Sequence, residues 1–218
     1  MHYAIGTKHE NIWIAQREGR SKDSDDRTQD AILKMMAMGG EGSIVERLKQ
    51  LHLTPVALSY EYDPCDYLKA QEFQQKRDIE GFKKSPADDL KNMQTGIFGY
   101  KGRICFRMAD CLDDWLGTLP ADMPKAEFFA TVAARIDREI HRNYELYPGN
   151  YAAADLLRGT ERFADRYTAD EKTAFEAYLQ GQIRKVSLPN PDTAFLRERL
   201  LTMYANPVFN HETAIHED

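Results

Sequence analysis

The chain has 218 residues, 42% of them apolar and 29% charged, which supports a hydrophobic core and excludes a disordered polyelectrolyte. Its 29 lysines and arginines against 35 aspartates and glutamates give a formal net charge of −6, which disfavours nucleic acid as a partner. The longest stretch free of charged residues, Leu200 to His211, is shorter than the roughly 20 apolar residues of a membrane-spanning helix, and the first residues lack the basic and apolar segments of a signal peptide.

In chain order, Asn11-Ile-Trp-Ile-Ala-Gln16 is nearly continuously apolar, the pattern of a parallel strand covered on both faces. A polar loop follows, and Asp26 with Gln29 predicts a helix cap ahead of Ala31, Ile32, Met35 and Met36. Gly39-Gly40 ends that helix, and Ser43 with Glu46 opens another carrying Ile44, Val45, Leu48 and Leu51. Thr54 to Tyr60 alternates Val56, Leu58 and Tyr60 as a strand. Strand, helices and strand together predict a right-handed crossover with 11–16 and 54–60 parallel. A charged helix is expected over 63–84, and Ser85-Pro86 restarts another near Asp88. Segments 95–100 and 103–108 flank Lys101-Gly102 as a hairpin. Beyond Pro120 the apolar period is helical, with helices opening at Met123-Pro124 and near 150–158, 169–186 and 191–204. The expectation is an α/β region over 1–120 and a helical extension over 121–218.

The segment with the most chemistry is Arg17-Glu-Gly-Arg-Ser-Lys-Asp. It leaves the carboxyl end of the expected strand and enters a helix N-terminus, where open α/β sheets bind ligands. Gly19 permits close backbone approach, and Arg17, Arg20 and Lys22 can hold an oxyanion. Glu18, Asp23, Asp25 and Asp26 match the cations Arg17, Arg20, Lys22 and Arg27 one for one, so a solvated loop is the competing interpretation.

Trp13-Ile-Ala-Gln-Arg-Glu-Gly-Arg-Ser-Lys-Asp resembles the substrate-binding block of the glycerolipid acyltransferases, the glycerol-3-phosphate and 1-acylglycerol-3-phosphate acyltransferase superfamily. That block commonly contains Pro-Glu-Gly-Thr-Arg-Ser. Here Arg17 stands at the proline, Glu18-Gly19 match, and Arg20-Ser21 match after one missing residue. The Gln-Arg-Glu-Gly-Arg form with Asp25-Asp-Arg-Thr-Gln29 is similar to a bacterial branch. Leu53-Thr-Pro-Val-Ala-Leu-Ser and Tyr100-Lys-Gly-Arg-Ile-Cys-Phe resemble the strand and sheet segments that follow, so the resemblance spans about residues 11–110. It implies a partial parallel-sheet acyltransferase core with a mostly helical C-terminal extension. It also implies acyl transfer from acyl-CoA or an acyl carrier protein thioester to a phosphorylated glycerol acceptor, in phospholipid biosynthesis. Arg17, Glu18, Gly19, Arg20 and Lys22 would bind the acceptor. Neither a metal nor another cofactor is implied, and the lipid product implies a cytoplasmic protein with peripheral contact at the inner face of a membrane.

The family's catalytic pair is His-x4-Asp, in which the histidine acts as general base on the glycerol hydroxyl. The residues five beyond His2, His9, His52, His141 and His211 are Thr7, Ile14, Ala57, Leu146 and His216, so the pair is absent from this sequence. Only ten residues precede Asn11, and the expectation is the back part of an acyltransferase, inactive alone. The alternative from another class is a non-catalytic helical interaction protein with an anion-binding loop; a third is another phosphate-binding α/β enzyme.

Other candidates have plainer roles. Cys65, Cys105 and Cys111 are odd in number and form no C-x-x-C, which predicts buried or inert thiols in a reducing compartment. His211 and His216, with the acids around them, are expected in a disordered polar tail. Phe128, Phe129 and Trp115 are expected in a helix core, and Met35, Met36 and Met38 as packing residues.

Overall fold

The structure, a computed structural model, describes residues 1–17 and 21–216. It is mostly helical. In chain order the elements are α1 (Asp30–Met36), α2 (Ile44–Lys49), β1 (Val56–Tyr60), α3 (Asp66–Asp78), α4 (Pro86–Phe98), β2 (Ile104–Met108), α5 (Asp113–Leu116), α6 (Lys125–Arg142), α7 (Pro148–Arg158), α8 (Ala169–Arg184) and α9 (Thr193–His216). Two compact units divide the chain, each discontinuous in sequence. The first takes 1–20, 26–57 and 106–143; the second takes 21–25, 58–105 and 144–218.

In the first unit α1, α2, α5 and α6 enclose Leu33, Leu48, Leu116, Phe128, Phe129 and Val132. Spacing explains α6: Phe128, Val132 and Ile140 recur on one face, with Phe129, Ala133 and Ile136 beside them. Although α6 lies beyond residue 120, it belongs with α1. The Ser43 hydroxyl accepts from Glu46 N–H while the Glu46 carboxylate accepts from Ser43 N–H, the capping box its spacing predicts.

In the second unit the fully buried alanines 152, 153 and 154 of α7 admit close approach of α9, whose Leu200, Leu201, Tyr204 and Val208 fill the interior with Phe175 and Leu179 of α8. Gly159 ends α7 at φ +65°, a left-handed turn that a side chain would strain. Helix α9 continues to His216, with Ala214 buried, so His211 and His216 are helical rather than part of a disordered tail.

The sheet differs most from expectation. Glu61 N–H donates to Arg103 O and Tyr62 N–H to Lys101 O, while Ala109 N–H donates to Pro55 O and Leu112 N–H to Leu53 O. The pairing of β1 with β2 is therefore antiparallel, and the sheet has these two strands among the described residues. Residues 11–15 form no strand and are exposed, with Trp13 at 68%, so they lack the cover on both faces that an apolar parallel strand requires. Trp13 instead meets Phe106 edge to face, with ring centroids 6.4 Å apart. The expected crossover of 11–16 with 54–60 does not form.

Three smaller corrections follow from local chemistry. Asp26 does not cap α1, which starts at Asp30 after Gln29; Asp26 pairs with Arg17, and the preceding turn is fixed by Thr28, whose N–H and hydroxyl both donate to Asp137. Along β1 the buried residues are Ala57 and Ser59, whereas Val56 and Leu58 are half-buried and Tyr60 is exposed, the reverse of the expected face. Residues 95–98 belong to α4, begun by the Ser85/Asp88 capping box and Pro86, so the hairpin over 95–108 is replaced by pairing of β2 with β1.

Helix α4 turns its polar side inward. Asn92 is its buried residue, donating to Asp88 O and accepting from the Cys65 thiol through its own carbonyl. Leu90, Met93, Ile97 and Phe98 face water, Phe98 at 84%.

Candidate functional site

The expected anion-binding residues separate into three groups. Glu18, Gly19 and Arg20 lie outside the described residues. Arg17, in the first unit, pairs with Asp26 at 3.6 Å, and its Nε is buried without an acceptor among the described residues. Lys22 belongs to the second unit, where it pairs with Glu72 of α3.

Lys22 is held by a short segment with firm backbone anchors. The Asn206 side chain of α9 donates to Asp23 O at 2.8 Å, and Asn210, one turn on, donates to the Asp25 carboxylate at 3.0 Å. Ser21 is buried and donates to Asp23. Glu72 also receives Lys76, four residues later on α3, at 3.0 Å, and Lys84, after α3 has ended, at 2.6 Å. The Glu72 side chain is only 4% exposed, whereas Lys76 is half exposed. Burial raises the Glu72 pKa, but Lys22, Lys84 and Lys76 outweigh it and hold the carboxyl below its ordinary range. Burial also lowers the Lys22 pKa, against the pull of Glu72. One carboxylate thus faces three ammonium groups, and two positive charges in the cluster have no counterpart within it. Such an arrangement can accept a dianion. Lys22 is a candidate from sequence, whereas Glu72 and Lys84 are not; the Glu72/Lys76 spacing is the one signal that could have pointed to Glu72.

A second constellation starts one helical face away on α3. Asp66 is fully buried, and one of its carboxylate oxygens accepts from the Tyr178 and Tyr204 hydroxyls at 2.7 Å each. Gln182 donates to the Tyr178 oxygen and Asp63 N–H to the Tyr204 oxygen. Burial raises the Asp66 pKa to about 6 despite the tyrosine donors, and burial beside Asp66 raises both tyrosines. Its partners come from α8 and α9, so the network ties three helices together.

The first unit holds a third group. His52 Nδ1 lies 2.6 Å from Asp113 Oδ2, and the Cys111 sulfur joins them, with all three potential donor atoms within 4.8 Å of one another. Burial raises the Cys111 pKa, and the adjacent Asp113 carboxylate adds to this. Cys111 was expected to be buried or inert; it is exposed, as is His52. Of the other two thiols, Cys65 is buried and Cys105 half-buried, and none of the three is in a disulfide.

Residues 100–105 belong to the second unit. Arg103 donates through Nε and Nη2 to the two oxygens of Glu61, and its guanidinium lies 4.7 Å from the Tyr147 ring centroid. Gly102 makes the turn at φ +64° with Glu61 packed against it.

No helix among the described residues is long and apolar enough to cross a membrane. No family model, curated protein or solved structure matches the chain.

Proposed function

We propose that the chain binds the phosphate of a phosphorylated glycerol acceptor, as a relative of the glycerolipid acyltransferases, with Lys22, Lys76 and Lys84 as the anion-facing groups. The observation that carries this is the sharing of buried Glu72 by three lysines, one of them the last cation of the Arg17–Lys22 block. The motif of that family would also assign acceptor binding to Arg17, Glu18, Gly19 and Arg20. Glu72 fixes the ammonium groups, and the surplus charge is left for the ligand.

The complete reaction would move a fatty acyl group from an acyl-CoA or acyl carrier protein thioester to the glycerol hydroxyl, releasing the thiol. That attack needs a base, and the sequence contains no His-x4-Asp to supply it. The proposal is therefore acceptor binding, in phospholipid synthesis at the inner face of a membrane, rather than turnover by this chain alone. The parallel sheet implied by the family resemblance has no counterpart among the described residues, so the proposal rests on the motif and the lysines. A non-catalytic interaction protein is the second reading, and the outward apolar side of α4 favours it.

Calorimetric titration with glycerol 3-phosphate, against glycerol as control, tests the first reading. Lys76→Ala leaves Glu72 with two lysines and should weaken binding by about 1.5 kcal/mol, the lower end for a charged hydrogen bond. Equal binding of glycerol, or unchanged affinity in Lys76→Ala, would reject the site.

A further inference from the structure

We infer that His52, Cys111 and Asp113 form a binding site for a zinc-class divalent cation, with a fourth coordination position left to water. His52 lies 59 positions before Cys111 and 61 before Asp113, and a backbone bond brings the two segments together: Leu112 N–H donates to Leu53 O at 2.9 Å. Leu51 and Leu112 enter the core of the first unit, while His52 and Cys111 are exposed and Asp113 is half-buried.

The backbone at His52 is already fixed. Its φ is +50°, an uncommon conformation for a residue with a side chain, in which histidine is among the better tolerated. Its N–H donates to Lys49 O at 3.1 Å, and its carbonyl accepts the Thr54 hydroxyl at 3.2 Å. At the other ligand, Asp113 Oδ1 is buried without a hydrogen-bond partner among the described residues, although Oδ2 is engaged by His52. That unused oxygen is an acceptor for which a cation is a suitable partner.

The donor set has the right character. Imidazole nitrogen, thiolate sulfur and carboxylate oxygen are the three ligand types of zinc, and sites with three protein ligands keep a fourth position open. Tetrahedral zinc requires donors about 3.3–3.8 Å apart, within the 4.8 Å limit seen here. The 2.6 Å contact from His52 to Asp113 must widen on binding, and the 68% exposure of the histidine side chain leaves room for that movement. Binding transfers the Cys111 thiol proton to solvent and places the sulfur on the metal as thiolate. No electron transfer is involved.

Cobalt(II), a spectroscopic substitute for zinc, provides the test on the full, reduced chain. Titration should produce a near-ultraviolet thiolate-to-cobalt charge-transfer band that saturates at one equivalent and disappears when Zn2+ is added. Cys111→Ser should abolish the band, whereas Cys65→Ser and Cys105→Ser should retain it. His52→Ala and Asp113→Asn should each weaken Zn2+ affinity by at least about tenfold, with far-ultraviolet circular dichroism unchanged. Absence of the band in the parent chain, its survival in Cys111→Ser, or undiminished Zn2+ affinity in both His52→Ala and Asp113→Asn overturns the inference.

Discussion

Asp66 in the second unit and Asp113 in the first each gather two polar side chains, yet their surroundings give them opposite uses. Asp66 has no exposed surface, and the hydroxyls on it come from two other helices. Asp113 keeps one unpartnered oxygen, and its neighbours His52 and Cys111 are open to water. A buried carboxylate with saturated hydrogen bonds contributes to helix arrangement; a half-buried one with spare acceptor capacity beside exposed groups is available to a ligand. The contrast shows that a perturbed carboxylate alone does not mark a site of chemistry. Access and unused valence have to accompany it.

The largest expected effect is on pH-dependent stability. Asp66 has a folded pKa of about 6, above an unfolded carboxylate's roughly 3.9, so its stabilising contribution is complete below about pH 4 and is lost as pH rises through 6. The change amounts to about 3 kcal/mol. Asp66→Asn lacks this titration, and urea unfolding should show it gaining about that much on the parent between pH 4 and pH 7. A constant difference between the two proteins over that interval would remove Asp66 from this role.

A smaller effect is expected on removing one donor. Tyr204→Phe should destabilise by about 2 kcal/mol at pH 7, where the hydroxyl donates to an ionised carboxylate, and by about 1 kcal/mol at pH 4.5, where the carboxyl is neutral. Unfolding measured at both pH values distinguishes this from simple loss of packing, which would cost the same at each. The smallest effect belongs to the exposed cluster: in the absence of metal, Asp113→Asn should change stability by less than about 1 kcal/mol, the scale of a polar contact near the surface. A larger loss in chelator-treated protein would make Asp113 a structural residue and erase the contrast with Asp66.

Local chemistry made part of this fold legible. Ser43 with Glu46 and Ser85 with Pro86 marked helix starts correctly because a cap is completed within one turn. The helices after Pro120 were recognisable because their apolar residues repeat with helical period. Segment 11–16 misled for a different reason: an apolar run indicates a strand only where other strands cover it, and composition says nothing of their presence. Segment 95–100 misled because β-rich composition near a glycine turn was outweighed by the Ser85/Asp88 cap upstream. Of the candidate site, Lys22 was visible as a cation, but Glu72 acquires meaning only through contacts from Lys22, fifty residues away, and from Lys84 across a helix end. His52 and Cys111 were likewise unreadable as a pair until the Leu53–Leu112 bond had placed them.

The outward apolar side of α4 has a consequence for how the chain behaves in concentrated solution. At neutral pH the formal charge of −6 keeps molecules apart and opposes contact between those faces. Acidification toward the sequence isoelectric point of about 5.6 removes the repulsion while Leu90, Met93, Ile97 and Phe98 stay exposed, so colloidal stability should fall as the pH is lowered from 7 toward that point. Light scattering across that range should rise first in the parent chain and later in Ile97→Glu, whose added charge interrupts the sticky face without entering the core.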